Sequence, residues 1–351
     1  MQRVPVLSTC GLPLMPTKAS RARRMVAEGK ATSHWSDIGI YYIKLTTEAS
    51  DNNTQLIAVG VDPGKLFSGI AVQSSKYTLC SFHLELPFLL VKERMETRKM
   101  LRRGRRSRRF NRKLPYHLRN HRQKRFSNRR KSKLPPSIRA NRQLELRVIT
   151  EISKLYPVGV IVYEYVKAAG TKSFSPVMVG QKWMINQCKK IENTVIKYGY
   201  DTSNMREHLG LVKEKVHKGR RTPETHAIDG IALACTQFLS YGTDYHTGKC
   251  WTGAVELTKN IFKIVRRLPI NRRSLHRANF NKDGIRTRYG GTVVGYGLRK
   301  GDLVSTPKGM GYVSGCTKNL ISVSDHNWKR ISQIVNTKVK LIRRNIGLIV
   351  C

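Results

Sequence analysis

The sequence predicts an α/β protein built on one mixed sheet, and three observations lead there. Three short apolar strands follow one another across tight turns between Gln55 and Leu86. A continuous apolar run, Val158-Gly-Val-Ile-Val-Tyr163, follows a segment of helical period, as a strand buried on both faces does. Between these two regions lies Arg98–Lys133, in which half of the residues are Arg or Lys and none is Asp or Glu. Three strands followed by helix, strand, helix and helix is an α/β order, here interrupted by a basic segment.

In the first module, to about Asn52, Val4–Ser8 reads as a strand and Pro13-Leu-Met-Pro16 as a tight apolar turn. Ala19–Gly29 is a short basic helix stopped by glycine, with Arg21, Arg23 and Arg24 exposed, and Ile38–Lys44 alternates like a strand. The central strands are Gln55–Val61, Ser68–Ser74 and Tyr77–Leu86, joined as an antiparallel meander by Asp62-Pro-Gly-Lys and Ser75-Lys. The basic segment is helical from Lys92 to Lys113, where Pro115 interrupts it, and a second basic stretch ends at Pro135-Pro136. Arg139–Tyr156 has helical period through Leu144, Val148, Ile152 and Leu155, and leads through Pro157 into the strand ending at Tyr163. Further helices are expected over Gln181–Tyr198 and His226–Leu239. From about Trp251 the texture becomes basic and irregular. Short strands with glycine turns follow (Thr292–Tyr296, Asp302–Ser305, Gly311–Ser314, Leu320–Ser324, Val339–Ile342), spaced as in a small β-barrel.

A formal net charge of +44 over 351 residues attracts polyanions across the whole surface, so nucleic acid is the expected partner. A solvated basic helix is the bland alternative for Arg98–Lys133, but the length and purity of the run argue against it. No stretch approaches the ~18 apolar residues of a membrane span, and the N-terminal apolar run is too short for a signal peptide. Seven scattered cysteines without a C-x-x-C pair give no zinc framework and point to reduced thiols in a cytosol.

In an acid-poor chain, carboxylates at element ends stand out. Asp62 ends the first strand of the meander, beside Pro63-Gly64. Glu164 ends the run Val158–Tyr163. Asp229 lies on a helix of small apolar neighbours, three residues after His226 and on the same face. Each alone has a structural reading: a turn-forming Asp-Pro-Gly, a strand end reaching solvent, an acid complementing the helix dipole. Together, in this order and on these elements, they suit phosphodiester hydrolysis. Carboxylates from separate elements can hold two Mg²⁺ ions about 4 Å apart, one activating a water and one stabilising the leaving oxygen.

These segments carry a family resemblance. Val59-Gly-Val-Asp62-Pro-Gly64, Val160-Ile-Val-Tyr-Glu164 and His226-Ala-Ile-Asp229 resemble the three split motifs of a RuvC-type, RNase H-like nuclease. The Arg-rich insertion after the first motif is similar to the bridge helix of RNA-guided effectors. Pro13-Leu-Met-Pro16 and the helix after it resemble the PLMP module of the transposon-encoded IscB and IsrB proteins. IscB has an HNH nuclease between its second and third motifs. The interval Tyr165–Thr225 holds His208 and His217 but no second cassette, so the resemblance is to the HNH-lacking IsrB group.

The resemblance implies a RuvC core split by a bridge helix, with a small α/β module before it and a β-rich module after it. The corresponding segments are 1–52 (PLMP), 53–91 (RuvC I), 92–135 (bridge helix and basic linker), 136–200 (RuvC II), 201–250 (RuvC III) and 251–351, which would contact a target-adjacent motif. It implies an ωRNA-guided endonuclease that nicks the non-target strand of double-stranded DNA after R-loop formation. Asp62, Glu164 and Asp229 would be the ligands of two Mg²⁺ ions, and His226 the neighbouring base or water-positioning group. Arg102, Arg103, Arg105, Arg106, Arg109 and Arg112 would hold guide RNA and heteroduplex backbone. The expected form is a monomer in a 1:1 complex with ωRNA, in a prokaryotic cytosol, away from membrane. Two other functions use the same residues: a guide-independent resolvase or transposase acting on branched DNA, and a catalytically silent RNA-binding protein.

Overall fold

The computed structural model describes residues 2–49, 53–107, 113–118, 134–168, 175–217, 219–244, 246, 248–269, 278–279, 284–285, 295–317 and 319–351. Two compact units emerge: Met1–His34 with Tyr41–Phe262, and Trp35–Ile40 with Lys263–Cys351.

The first unit begins with β1 (Arg3–Leu7), β2 (Pro13–Lys18), α1 (Ala19–Ala27), β3 (Ala31–Trp35) and β4 (Tyr41–Leu45), in a sheet of order β2-β1-β4-β3. The segment expected to be a tight turn, Pro13–Pro16, is instead the start of edge strand β2. Proline lacks a donor for a strand ladder, and here Pro13 opens the strand while Pro16 falls opposite the irregularity between Val4 and Val6. Val4, Val6, Ala22, Ala31 and Ile43 form the core beneath.

The principal sheet of this unit contains β5 (Ile57–Asp62), β6 (Phe67–Ser74), β7 (Thr78–Glu85), β8 (Val160–Tyr165) and β9 (Thr194–Tyr198), in the order β7-β6-β5-β8-β9. The first three strands form an antiparallel meander, while β8 and β9 add in parallel beside β5. A mixed α/β core is therefore present as expected. α2 (Phe88–Ser107) follows the meander, and α3 (Pro136–Ser153) buries Leu144, Val148, Ile149 and Ile152. The helix expected over Gln181–Tyr198 is two elements. α4 (Pro176–Cys188) ends in a turn, and β-branched Thr194, Val195 and Ile196 then pair with β8. α5 (Gly199–His208) leaves no helical signature in the sequence, because it is polar and carries no apolar stripe. α6 (Ala227–Cys235) is shorter than expected and entirely buried, and the hairpin β10 (Leu239–Asp244) and β11 (Gly248–Gly253) follows it.

Close packing against the sheet fixes α6. A Cβ at Gly60 of β5 would stand 1.9 Å from the carbonyl oxygen of Gly230, and one at Gly69 of β6 would stand 1.7 Å from that of His226. Only glycine lets the helix lie this close, and the contact sets the depth of the residues beside Gly230.

In the second unit β12 (Ile261–Arg267) pairs with β20 (Leu348–Val350), and the two-residue strands β13 (Ala278–Asn279) and β14 (Gly284–Ile285) pair with each other. β15 (Leu303–Thr306), β16 (Gly309–Cys316), β17 (Leu320–Ser324), β18 (Arg330–Val335) and β19 (Lys340–Arg343) form an antiparallel sheet of order β18-β17-β16-β15-β19. Among the described residues its outer strands do not pair, so it is an open sheet and not the barrel the strand spacing predicts. Leu298, Val304, Val313, Ile321 and Val323 are its core. Of the strand expected over Thr292–Tyr296, residues 292–294 lie outside the described residues and Tyr296 is in a turn at φ 63°. All seven cysteines are free. Among the described residues no helix is long and apolar enough to cross a membrane.

Candidate active site

Parallel register places the first two carboxylates together. Val61 pairs with Tyr163, so Asp62 and Glu164, the next residues on β5 and β8, stand as neighbours at one end of the sheet. Asp229 reaches them from the first turn of α6, held at depth by the glycine contacts above.

The three acids feel one another. Burial pushes the Glu164 carboxyl up to about 7, and the charges on Asp62 and Asp229 add to that shift, against a lowering from the Thr202 hydroxyl. That hydroxyl donates to Glu164 Oε2 at 2.8 Å from α5. Burial and the Asp62 charge likewise push Asp229 up. Two cations oppose this shift: the Lys213 ammonium bonds Asp229 Oδ2, and Arg206 Nε lies 3.0 Å from Oδ1. The guanidinium is near enough for an ion pair but misaligned for a hydrogen bond, so Oδ1 and Arg206 Nε both lack a hydrogen-bond partner.

His226 is the residue before α6 and not one of its turns, so it does not share a helical face with Asp229 as its spacing suggested. Its Nδ1 instead lies 3.5 Å from Asp62 Oδ2, and its Nε2 is buried without a hydrogen-bond partner. Phe67 and His83 pack around the ring, with centroids 5.5 Å away in each case. His83 is fully buried on β7 and lies 3.1 Å from the Thr225 hydroxyl; burial, then the His226 charge, holds its pKa down at about 4.

A second acidic centre lies behind the Asp62 turn. Glu145 and Arg142 of α3 are buried and paired at 2.7 Å. Arg142 also donates to the Tyr163 hydroxyl at 2.9 Å and to the Gly64 carbonyl at 2.8 Å. The Ser68 hydroxyl donates to Glu145 Oε1 and accepts from the Gly64 amide at 3.0 Å. Asn141 Nδ2 donates to the Lys65 carbonyl at 2.9 Å. The helix thus clamps the Asp62-Pro63-Gly64 turn by its backbone. Burial pushes the Glu145 carboxyl up, against the pull of Arg142 and Ser68.

The structure therefore brings Asp62, Glu164, Asp229 and His226 together. Arg102 and Arg103 are exposed on α2 and take no part in that cluster; Arg105 and Arg106 belong to the same helix, while Arg109 and Arg112 lie outside the described residues. Sequence reasoning missed Glu145, Arg142, Arg206, Lys213 and His83. An Arg and a Glu at i, i+3 inside the apolar period of α3 was the available signal for the clamp. Nothing distinguishes Arg206 or Lys213 among 66 basic residues.

Among the described residues no three His, Cys, Asp or Glu are gathered closely enough to grip one ion between them. The donor chemistry nevertheless fits a hard divalent cation. The carboxylates are oxygen ligands, the Asp62 charge helps to raise the pKa of Glu164 and of Asp229, and one oxygen of Asp229 has no hydrogen-bond donor.

Residues 4–181 match the family described as RRXRR protein, about half of the chain. Two arginines, any residue and two arginines occur twice in overlap, at Arg102–Arg106 and Arg105–Arg109. No curated protein shows significant similarity to the chain. Among solved structures the chain is similar to T. thermophilus RuvC in complex with a Holliday junction substrate. The likeness is 10% identical, covers 52% of this chain and 92% of that one, and has a TM-score of 0.29, too slight to assign a fold or an activity.

Proposed function

The chain belongs to the RRXRR family, and we propose that it is a RuvC-type nuclease of the IsrB group, an ωRNA-guided nickase of the non-target DNA strand. The observation that carries the reading is the convergence of Asp62, Glu164 and Asp229, from three separate elements, into one mutually repelling cluster. The occurrence of RRXRR domains in IscB- and IsrB-like proteins agrees with the PLMP and bridge-helix resemblance. The carriers of the guide would be Arg102, Arg103, Arg105, Arg106, Arg109 and Arg112.

Asp62, Glu164 and Asp229 would hold two Mg²⁺ ions, which when bound supply an activated water and a stabilised leaving oxygen. His226 faces Asp62 through Nδ1 and would be the neighbouring base or water-positioning group. Thr202 fixes the Glu164 carboxylate, and the α3 clamp fixes the turn that bears Asp62. Arg206 and Lys213, which flank Asp229, would bring positive charge beside a scissile phosphate. One such site engages one strand at a time, so a matched duplex is nicked. A guide–target heteroduplex also shields its own strand while leaving the displaced strand single.

The decisive experiment is to sequence the RNA that co-purifies with the chain and programme its variable end against a randomised DNA library. Guide-dependent nicks beside a fixed short sequence are expected. Cleavage of branched DNA by RNA-free protein would replace this reading with a resolvase; RNA binding with no cleavage under Mg²⁺ would replace it with a silent RNA-binding protein.

A further inference from the structure

Beside Glu164 the sheet carries an aromatic cluster that the chemistry above does not use. Tyr165 follows Glu164 on β8 and pairs in register with Tyr198 at the end of β9. Tyr200 comes two residues later, in the first turn of α5. The rings of Tyr198 and Tyr200 are stacked, with centroids 5.6 Å apart and planes 16° from parallel, and Tyr165 meets Tyr198 edge-on at 6.2 Å and 82°. Gly199, between the two stacked residues, lies so near the site that a Cβ there would be 3.4 Å from Glu164 Oε1.

A tyrosine that completes a core is covered, but Tyr200 is 63% exposed. Its position is nevertheless fixed. The Tyr198 amide donates to Asp201 Oδ2 at 2.8 Å, pinning the start of α5, and Thr202 ties the same turn to Glu164 at 2.8 Å. Lys167 Nζ stands 5.2 Å from the Tyr198 ring centroid, so a cation accompanies the stack. A fixed, exposed ring with one face on a second ring, a lysine over that second ring and the Glu164 carboxylate beside the adjoining Gly199 is the composition of a base-stacking platform. Every base has a π-face, but within a duplex its neighbours cover it, so only an unpaired base can use such a ring.

We propose that Tyr200, backed by Tyr198, stacks a base of the unpaired DNA strand that is to be cut, with Lys167 meeting the adjacent backbone. The platform makes the site selective for single-stranded over duplex DNA at the point of cleavage. The choice of strand rests on the nuclease reading above, but the stacking does not require cleavage.

The test measures binding of the full chain to a single-stranded oligodeoxynucleotide bearing one 2-aminopurine, and to its duplex. The buffer contains EDTA and enough salt to weaken phosphate contacts. Tyr200→Ala should lower single-strand affinity on the order of tenfold, the loss of about one base–aromatic stack, and should relieve the quenching of 2-aminopurine. Tyr200→Phe should keep both, and duplex affinity should be the same for all three proteins. Tyr200→Ala that binds and quenches like wild type, or that loses single-strand and duplex affinity in equal measure, would overturn the proposal. Because no metal is present, the platform can succeed while the carboxylates prove non-catalytic. Equally, it can fail while wild-type protein still cleaves.

Discussion

Two acidic centres lie on either side of one turn, and they are built in opposite ways. Glu145 has no exposed surface, and its carboxylate is answered by Arg142 and Ser68, which are themselves tied to Tyr163 and Gly64. Asp62, Glu164 and Asp229 face one another, their repulsion only partly met by Lys213, Arg206 and Thr202, with one Asp229 oxygen and His226 Nε2 left without hydrogen-bond partners. A satisfied buried ion pair serves structure, because its groups have nothing left to offer a ligand. An under-satisfied cluster at a sheet end is what a site for charged chemistry requires. The contrast separates acids that hold the scaffold together from acids left available for the proposed reaction, although both sets lie within a predominantly basic chain.

Removing one partner from the satisfied centre should produce the largest change in stability. Glu145→Ala leaves the Arg142 guanidinium buried and unpaired, which costs about 3–5 kcal/mol, so denaturant unfolding should show a large fall in midpoint. A loss under 1 kcal/mol would mean that the clamp is not structural. On the other side, His226→Ala should cost less stability than Glu145→Ala and slow cleavage by about 10²–10⁴-fold, the usual worth of general acid–base help. An unchanged rate would return His226 to a structural residue before a helix.

A smaller effect concerns pH. Glu164 is pushed up to about 7 from an ordinary 4.5, so the folded protein holds a proton there that the unfolded chain has released. Stability in metal-free buffer should therefore decline as pH rises from about 4.5 to 7, and Glu164→Gln should remove that part of the slope. Thermal melts of the two proteins across this window check the sign; identical slopes would show that burial and the neighbouring acids do not raise the Glu164 carboxyl. The smallest effect is expected on α2. Replacing Arg102, Arg103, Arg105 and Arg106 with Ala should leave melting unchanged and flatten the salt dependence of RNA binding, by up to about 0.9 per lost duplex phosphate contact. Unaltered RNA affinity at moderate salt would remove α2 from the RNA clamp.

Much of this arrangement was legible in the chain. The meander, strand β8 and the order of Asp62, Glu164 and Asp229 follow from apolar runs that end in acids, because a central strand tolerates a carboxylate only where it emerges. What escaped was set by tertiary contacts. β9 reads as helix because a short apolar run does not declare its period, and the pairing with β8 decides it. β2 reads as a turn because its prolines mask an edge strand. His226 was placed by spacing on a helical face, but the helix begins one residue later and the ring turns to Asp62. Of the clamp, only the Arg142–Glu145 spacing of i, i+3 inside an apolar helical period is visible locally; its partners Gly64 and Ser68 lie far off in sequence.

If Asp62, Glu164 and Asp229 act as one site, strand-resolved cleavage of a guide-matched duplex will reveal it. Wild-type protein with its RNA and Mg²⁺ should cut the labelled non-target strand alone. Asp62→Asn, Glu164→Gln and Asp229→Asn should each abolish cutting while retaining RNA, and the double variants should be no worse than the singles. Mg²⁺-dependent cleavage that survives in any single variant would exclude a single shared site, and efficient cutting of both strands by wild type would exclude a nickase.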